Sequence, residues 1–314
     1  ADDRVDEAMR LLLSVHRDYW TDVATVAERV LSTDALMRFV DALPATDAEA
    51  GAAPDPDDGM IWSGTSTDLR GLLARRLLRE HRLAEAARYL DGLGGHQAAA
   101  AAFIDATRAA EVAASGAERA EHLWQAAQLA RRRGIELLGT ELGPDWALYQ
   151  GALDPALLEH RASSAFVGAA ERAATTLHAP PHPYRFHYRH TAALLAAEAA
   201  SLVPPRTQAY AALLCFAAAW TPDPESRTRF YRQWTSQGAA VDFSSTFGET
   251  CPAPSLHPLV LPEHEPRTAP SAAPVTMRKR HLAAIATAAT LGLGAATLTL
   301  LRRRRALAIA PPPP

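Results

Sequence analysis

The chain has 314 residues, enough for one large or two ordinary domains with a substantial core. Apolar residues make up 48% of it but aromatic ones only 7%, and alanine supplies much of the difference, a balance that favours closely packed helices over sheets. The formal charge of −3 provides no global field of the kind that draws in nucleic acid, so none is expected as a partner.

The chain opens on Ala1, which is what removal of a signal peptide, or simple trimming, would leave. Residues 1–44 read as an N-terminal helical cap whose apolar stripe is Val5, Met9, Leu12 and Leu13. Residues 45–67 read as a long loop rich in Ala, Asp, Pro and Gly. In it Asp55, Asp57 and Asp58 form a solvated acidic cluster, and Trp62 is a candidate for docking a partner, set against the plainer reading that it folds back on its own domain.

A helical-repeat domain is expected over 68–250. Leu69, Leu72, Leu73, Leu77 and Leu78 define one helix face, with Asp68 at its N-cap, and Leu83, Ala86, Ala87 and Leu90 define the next. The polar break Glu80–His81–Arg82 between them predicts an αα-hairpin. A second pair is expected over 97–113 and 117–133, with Ser115–Gly116 between and Gly134 as a C-cap. A third covers 186–202 and 206–220, broken by Pro204–Pro205, and Pro222–Pro224 opens a further helix through Trp234. Trp124, Trp146, Trp220 and Trp234 fall in helical patterns and are assigned to the core.

Prolines at 254, 258, 262, 266, 270 and 274 exclude helix and predict an extended, semi-rigid linker over 251–277. Residues 278–305 then read as a transmembrane helix with basic flanks, and 306–314 as a tail. His281 to Leu301 contains no carboxylate, Lys or Arg and matches the roughly 20 residues that span a bilayer. Arg278, Lys279 and Arg280 precede it and Arg302 to Arg305 follow, so basic groups reach headgroups at both ends. The arginine run resembles a stop-transfer flank and favours an extracytoplasmic body, the alternative being a tail anchor with a cytoplasmic body. Gly292 and Gly294 give the segment a small-residue face suited to helix packing.

The pair at 68–90, ending in AEAARYL, resembles a tetratricopeptide-type unit without a clean period of repeat. The stretches LWQAAQLARRRGIELLGTELGPDWALYQG and RFHYRHTAALLAAEAASLVPPRTQAYAALLCFAAAW are similar to bacterial proteins of unassigned function that join such helices to a membrane anchor. The resemblance covers most of 1–250 and carries no catalytic residue. It implies an all-α fold, an irregular α-solenoid of tetratricopeptide-like pairs, followed by the linker and a single membrane helix.

Chemistry concentrates in HAPPHPYRFHYRH, which holds His178, His182, His187 and His190. His187 and His190 are spaced i,i+3 and are weak metal candidates, because Arg185 and Arg189 disfavour a cation and no carboxylate lies close in sequence. Arg185, His187 and Arg189 are instead partner-binding candidates, with fork-like donors for an anionic or aromatic group. Cys215 and Cys251 fit no metal or redox motif and are a disulfide candidate, which would require an oxidising compartment. No phosphate loop, dinucleotide fingerprint, nucleophile elbow or zinc-protease motif occurs, so no catalytic residue is assigned and no cofactor is expected. The leading expectation is a membrane-anchored scaffold or adaptor for a protein or peptide partner. The alternatives are an envelope enzyme or metal-dependent protein using His178–His190, and a subunit assembling through the membrane helix.

Overall fold

The computed structural model describes residues 2–43, 66–145, 167–180 and 184–257. Among them the secondary structure is all helical, with no strand. The helices are α1 (Asp2–Ser14), α2 (His16–Thr25), α3 (Thr33–Asp41), α4 (Ser66–Arg79), α5 (Leu83–Ala86) and α6 (Gln97–Val112). They continue as α7 (Gly116–Leu138), α8 (Ala169–Leu177), α9 (His187–Ser201), α10 (Gln208–Trp220) and α11 (Pro224–Gln237). A π-helical turn, Val26–Val30, prolongs α2, and 3-10 turns follow α5 over Ala87–His96.

Short polar side chains set the helix starts. Ser32 accepts the Ala35 N–H at 3.2 Å, Thr207 accepts that of Tyr210 at 3.2 Å, and Ser115 accepts that of Glu118 at 3.2 Å. Glu118 reaches back to the Ala114 N–H at 3.0 Å, so two otherwise orphaned donors are met at one helix end. Asp223 accepts from both Glu225 and Ser226, with Pro224 in the first turn where no N–H is needed.

Two buried clusters fill the body. One is built on the leucines of α4, with Met9, Trp20, Phe39, Tyr89 and Phe103 around them. The other is alanine-rich and joins α7, α9, α10 and α11, where Ala193, Ala196, Ala200, Ala211 and Ala217 are fully buried. Small side chains let these helices lie close, and aromatic pairs close the remaining gaps: Trp124 stacks on Trp220 at 5.3 Å and Trp234 on Phe247 at 4.4 Å. Trp146 lies outside the described residues.

Several boundaries differ from the sequence expectation. Helix α4 begins at Ser66, which puts Asp68 inside the first turn, where its charge suits the helix dipole, rather than at the cap. The helix expected at Leu83–Leu90 is α-helical only to Ala86. Beyond that point Gly92 meets Gly71 of α4 so closely that a Cβ on Gly71 would sit 2.3 Å from the Gly92 carbonyl oxygen, and the chain tightens into 3-10 turns. Gly134 is not a C-cap. Helix α7 kinks at Arg133 (φ −126°, ψ 20°) and continues to Leu138, while Gly134 makes room for the ring of Tyr188.

The packed body also reaches past residue 250. Cys215 and Cys251 are joined by a disulfide with Cα atoms 5.7 Å apart. Gln208 donates to the Ala253 carbonyl at 3.0 Å and accepts from the Ser255 N–H at 2.8 Å. Leu256 is buried and His257 meets Glu121 at 3.0 Å. The segment through His257 is thus a strap across α10 and α7. Among the described residues no helix is long and apolar enough to cross a membrane. The stretch 281–301 expected to cross a membrane, with Gly292 and Gly294, lies outside them, as do all but the last two residues of the expected loop 45–67, including Trp62, and the rest of the expected proline linker.

Candidate functional site

Helix α4 carries Arg75, Arg76 and Arg79 among its leucines, and none of the three side chains is more than 13% exposed. A guanidinium so placed must find acceptors for its donors. Arg76 donates to the carbonyls of Ala27 at 2.6 Å and Leu31 at 2.9 Å, which the π-helical turn leaves open. Its Nε donates to Glu80 at 3.2 Å, and Glu80 also accepts from the Thr33 hydroxyl at 2.6 Å. Arg79 donates to buried Glu28 at 2.5 Å and to the Gly139 carbonyl at 2.6 Å. Arg75 pairs with Glu141, and Arg29 donates to the Gly143 carbonyl at 2.5 Å. Burial lowers the pKa of both Arg79 and Arg29 from the usual arginine value, with Glu28 acting in the opposite sense.

This ionic frame holds the turn after α7, residues 139–145, against α4. Inside the turn the Thr140 N–H donates to Asp145 at 3.0 Å and the Thr140 hydroxyl donates to the Leu142 carbonyl at 2.7 Å. Asp145, 2% exposed, then meets His187 at the start of α9, with Oδ2 2.7 Å from Nε2. A carboxylate there assigns the proton to Nε2, so in the neutral ring Nδ1 is the acceptor. Asp145 Oδ1 and Glu141 Oε2 are buried without a hydrogen-bond partner among the described residues.

His187 forms part of the wall of a pocket of about 300 Å³ between α4, α6, α7 and α9. Leu78, Phe103, Leu138, Leu194 and Leu195 supply apolar walls, and His81, Thr191 and Glu198 supply polar ones. Leu194 is 40% exposed. Arg79 also borders the pocket, though its terminal nitrogens are committed to Glu28 and to the turn. Among the described residues two non-glycine residues stand in the left-handed region, and both adjoin this site: His81 (φ 56°) in its wall and Phe186 (φ 62°) immediately before His187.

The residues singled out from sequence separate rather than converge. His187 turns inward to Asp145, while the ring of His190 packs edge-on to Tyr184 at 5.9 Å. The i,i+3 pair therefore has different neighbours, and among the described residues no group of three or more His, Cys, Asp or Glu is arranged to hold a metal ion. His178 lies 3.2 Å from the Arg29 carbonyl, and His182 is outside the described residues. Arg185 and Arg189 both lie over Phe186, at 4.8 and 4.1 Å from the ring centre, and neither lines the pocket. Sequence reasoning missed Asp145, Glu141 and Glu28, and Arg75, Arg76 and Arg79 of α4. The available signal was LLARRLLR, where charges interrupt an apolar helix face, and the acidic residues of GTELGPD.

No protein-family model, curated protein or solved structure matches the chain.

Proposed function

We propose that this chain is a partner-binding protein that seats one apolar side chain of a protein or peptide in the pocket beside His187, and that 281–301 anchors it at a membrane. The observation that carries this reading is Leu194, a large apolar side chain left 40% exposed in a walled pocket. A volume of about 300 Å³ is at the lower limit for ligand sites and suits an anchoring residue better than a large cofactor. Polar groups at its edge, Thr191 and Glu198, would orient the partner's backbone. In this reading the helix pairs form an irregular repeat array that works as a membrane-tethered adaptor.

The test is a photo-crosslinking amino acid placed at Leu194 in the full-length protein, with one at Val112, 82% exposed on α6, as the control. A discrete adduct formed from Leu194 and absent from Val112 supports the reading. Equal labelling from both positions, or none, overturns it.

The Asp145–His187 pair favours a second reading, proton transfer at His187. A carboxylate that fixes the imidazole is the arrangement a general base uses. Against it, the nearest hydroxyl in the pocket, that of Thr191, donates to the His187 carbonyl at 3.3 Å. Ester or amide hydrolysis lost in a folded His187→Gln variant would establish this reading over the first.

A further inference from the structure

Two guanidiniums that do not line the pocket, those of Arg185 and Arg189, lie on Phe186 at the start of α9, and a third, that of Arg131 on α7, is close enough to Arg189 and Tyr188 to feel their charge. Phe186 is held in the left-handed region (φ 62°, ψ 25°), a conformation that costs a bulky residue on the order of 1–2 kcal/mol. There its carbonyl accepts the Arg189 N–H at 2.8 Å and its ring carries both Arg185 and Arg189. A planar guanidinium laid on a ring keeps its edge free for other partners. Arg131 approaches from α7, one turn before the glycine that receives Tyr188. Burial lowers its pKa first, and the nearby charge of Arg189 lowers it further.

Among the described residues these arginines differ from Arg75, Arg76 and Arg79 of α4 in meeting no carboxylate. Among the described residues no carboxylate pairs with Arg131, Arg185 or Arg189, and the Nε atoms of Arg131 and Arg189 are buried without an acceptor. A buried donor without an acceptor is costly, and two like charges held together add to that cost unless an anion joins them.

We infer that Arg131, Arg185 and Arg189 form a binding site for an oxyanion, a carboxylate or phosphate group, presented on the Phe186 platform. Guanidinium forks match the paired oxygens of either group, and the ring fixes two of them before the anion arrives. The site uses none of the pocket-lining residues, so it stands or falls separately from the partner reading.

The test is calorimetric titration of the full-length protein with inorganic phosphate and, separately, with succinate, at an ionic strength held constant with sodium chloride. Saturable binding of at least one ion is expected, and the one that binds identifies the group as tetrahedral or planar. Arg131→Gln and Arg189→Gln should each weaken it at least tenfold. Arg185→Gln, at an exposed position where folding is not at stake, should weaken it about threefold. Arg132→Gln, the exposed neighbour on α7, should leave the affinity unchanged. No saturable binding of either ion, or affinity unaltered in the Arg185→Gln and Arg189→Gln proteins, overturns the inference.

Discussion

Replacing Arg79 by methionine tests whether the ionic frame positions the site. The substitution keeps most of the aliphatic stem and removes the donors to Glu28 and to the Gly139 carbonyl. Glu28 is 4% exposed and would be left as a buried carboxylate without its principal partner, a loss of about 3–5 kcal/mol. Arg29 and Arg76 lie nearby and offset part of this, so the expected cost is about 3 kcal/mol. For a body of this size that lowers the unfolding midpoint by roughly 6–12 °C. The companion is Glu28→Met with Arg79→Met, which removes both charges and should recover most of the loss. Urea unfolding followed by far-ultraviolet circular dichroism gives the free energies. A cost below about 1 kcal/mol for Arg79→Met, or a double variant as destabilised as the two single changes added together, would refute the reasoning.

Three other outcomes follow from the packing and the titrating groups. Gly134→Ala should destabilise by about 1–3 kcal/mol in urea unfolding, because its Cβ would lie 2.2 Å from the Tyr188 ring. Reducing the Cys215–Cys251 bond, which closes a separation of 36 residues, should lower stability by about 4 kcal/mol in the chain-entropy model, and a Cys215→Ala/Cys251→Ala protein should not respond to reductant. Tyr89 donates to Asp41 at 2.8 Å, and burial, then that bond, pushes its pKa up to about 12. A raised phenol pKa favours the neutral form in the folded state, so this contribution is complete below the ordinary tyrosine value near 10 and is lost as pH rises toward 12. Tyr89→Phe should therefore lower stability by about 1 kcal/mol at neutral pH and flatten the alkaline decline in unfolding midpoint. An equally steep decline in that variant would contradict the assignment.

The all-helical class was legible in the sequence because alanine content, leucine periodicity and breaks such as Ser115–Gly116 and Pro204–Pro205 all act locally. Boundaries failed where tertiary contact decides. Gly134 looks like a helix stop until Tyr188, 54 positions later, occupies the space its side chain would fill. Similarly, the close approach of Gly92 to Gly71, 21 positions earlier, leaves no signal around either residue, and the α-helix that the apolar stripe carried to Leu90 stops at Ala86. In the candidate site, His187 stood out as one of several clustered histidines, but its partner Asp145 is 42 residues away in a turn without a motif. The arginines of α4 carried a visible anomaly, charge on an apolar face. Their carboxylates come from three different segments, so no spacing rule connects them.

The central claim, an apolar anchor seated beside His187, is tested most directly by the affinity of the partner captured at Leu194 for the Leu194→Asp protein. The pocket account predicts at least a tenfold loss of affinity, about 1.4 kcal/mol or more, with an unchanged unfolding midpoint. Undiminished affinity in a folded Leu194→Asp protein would contradict it.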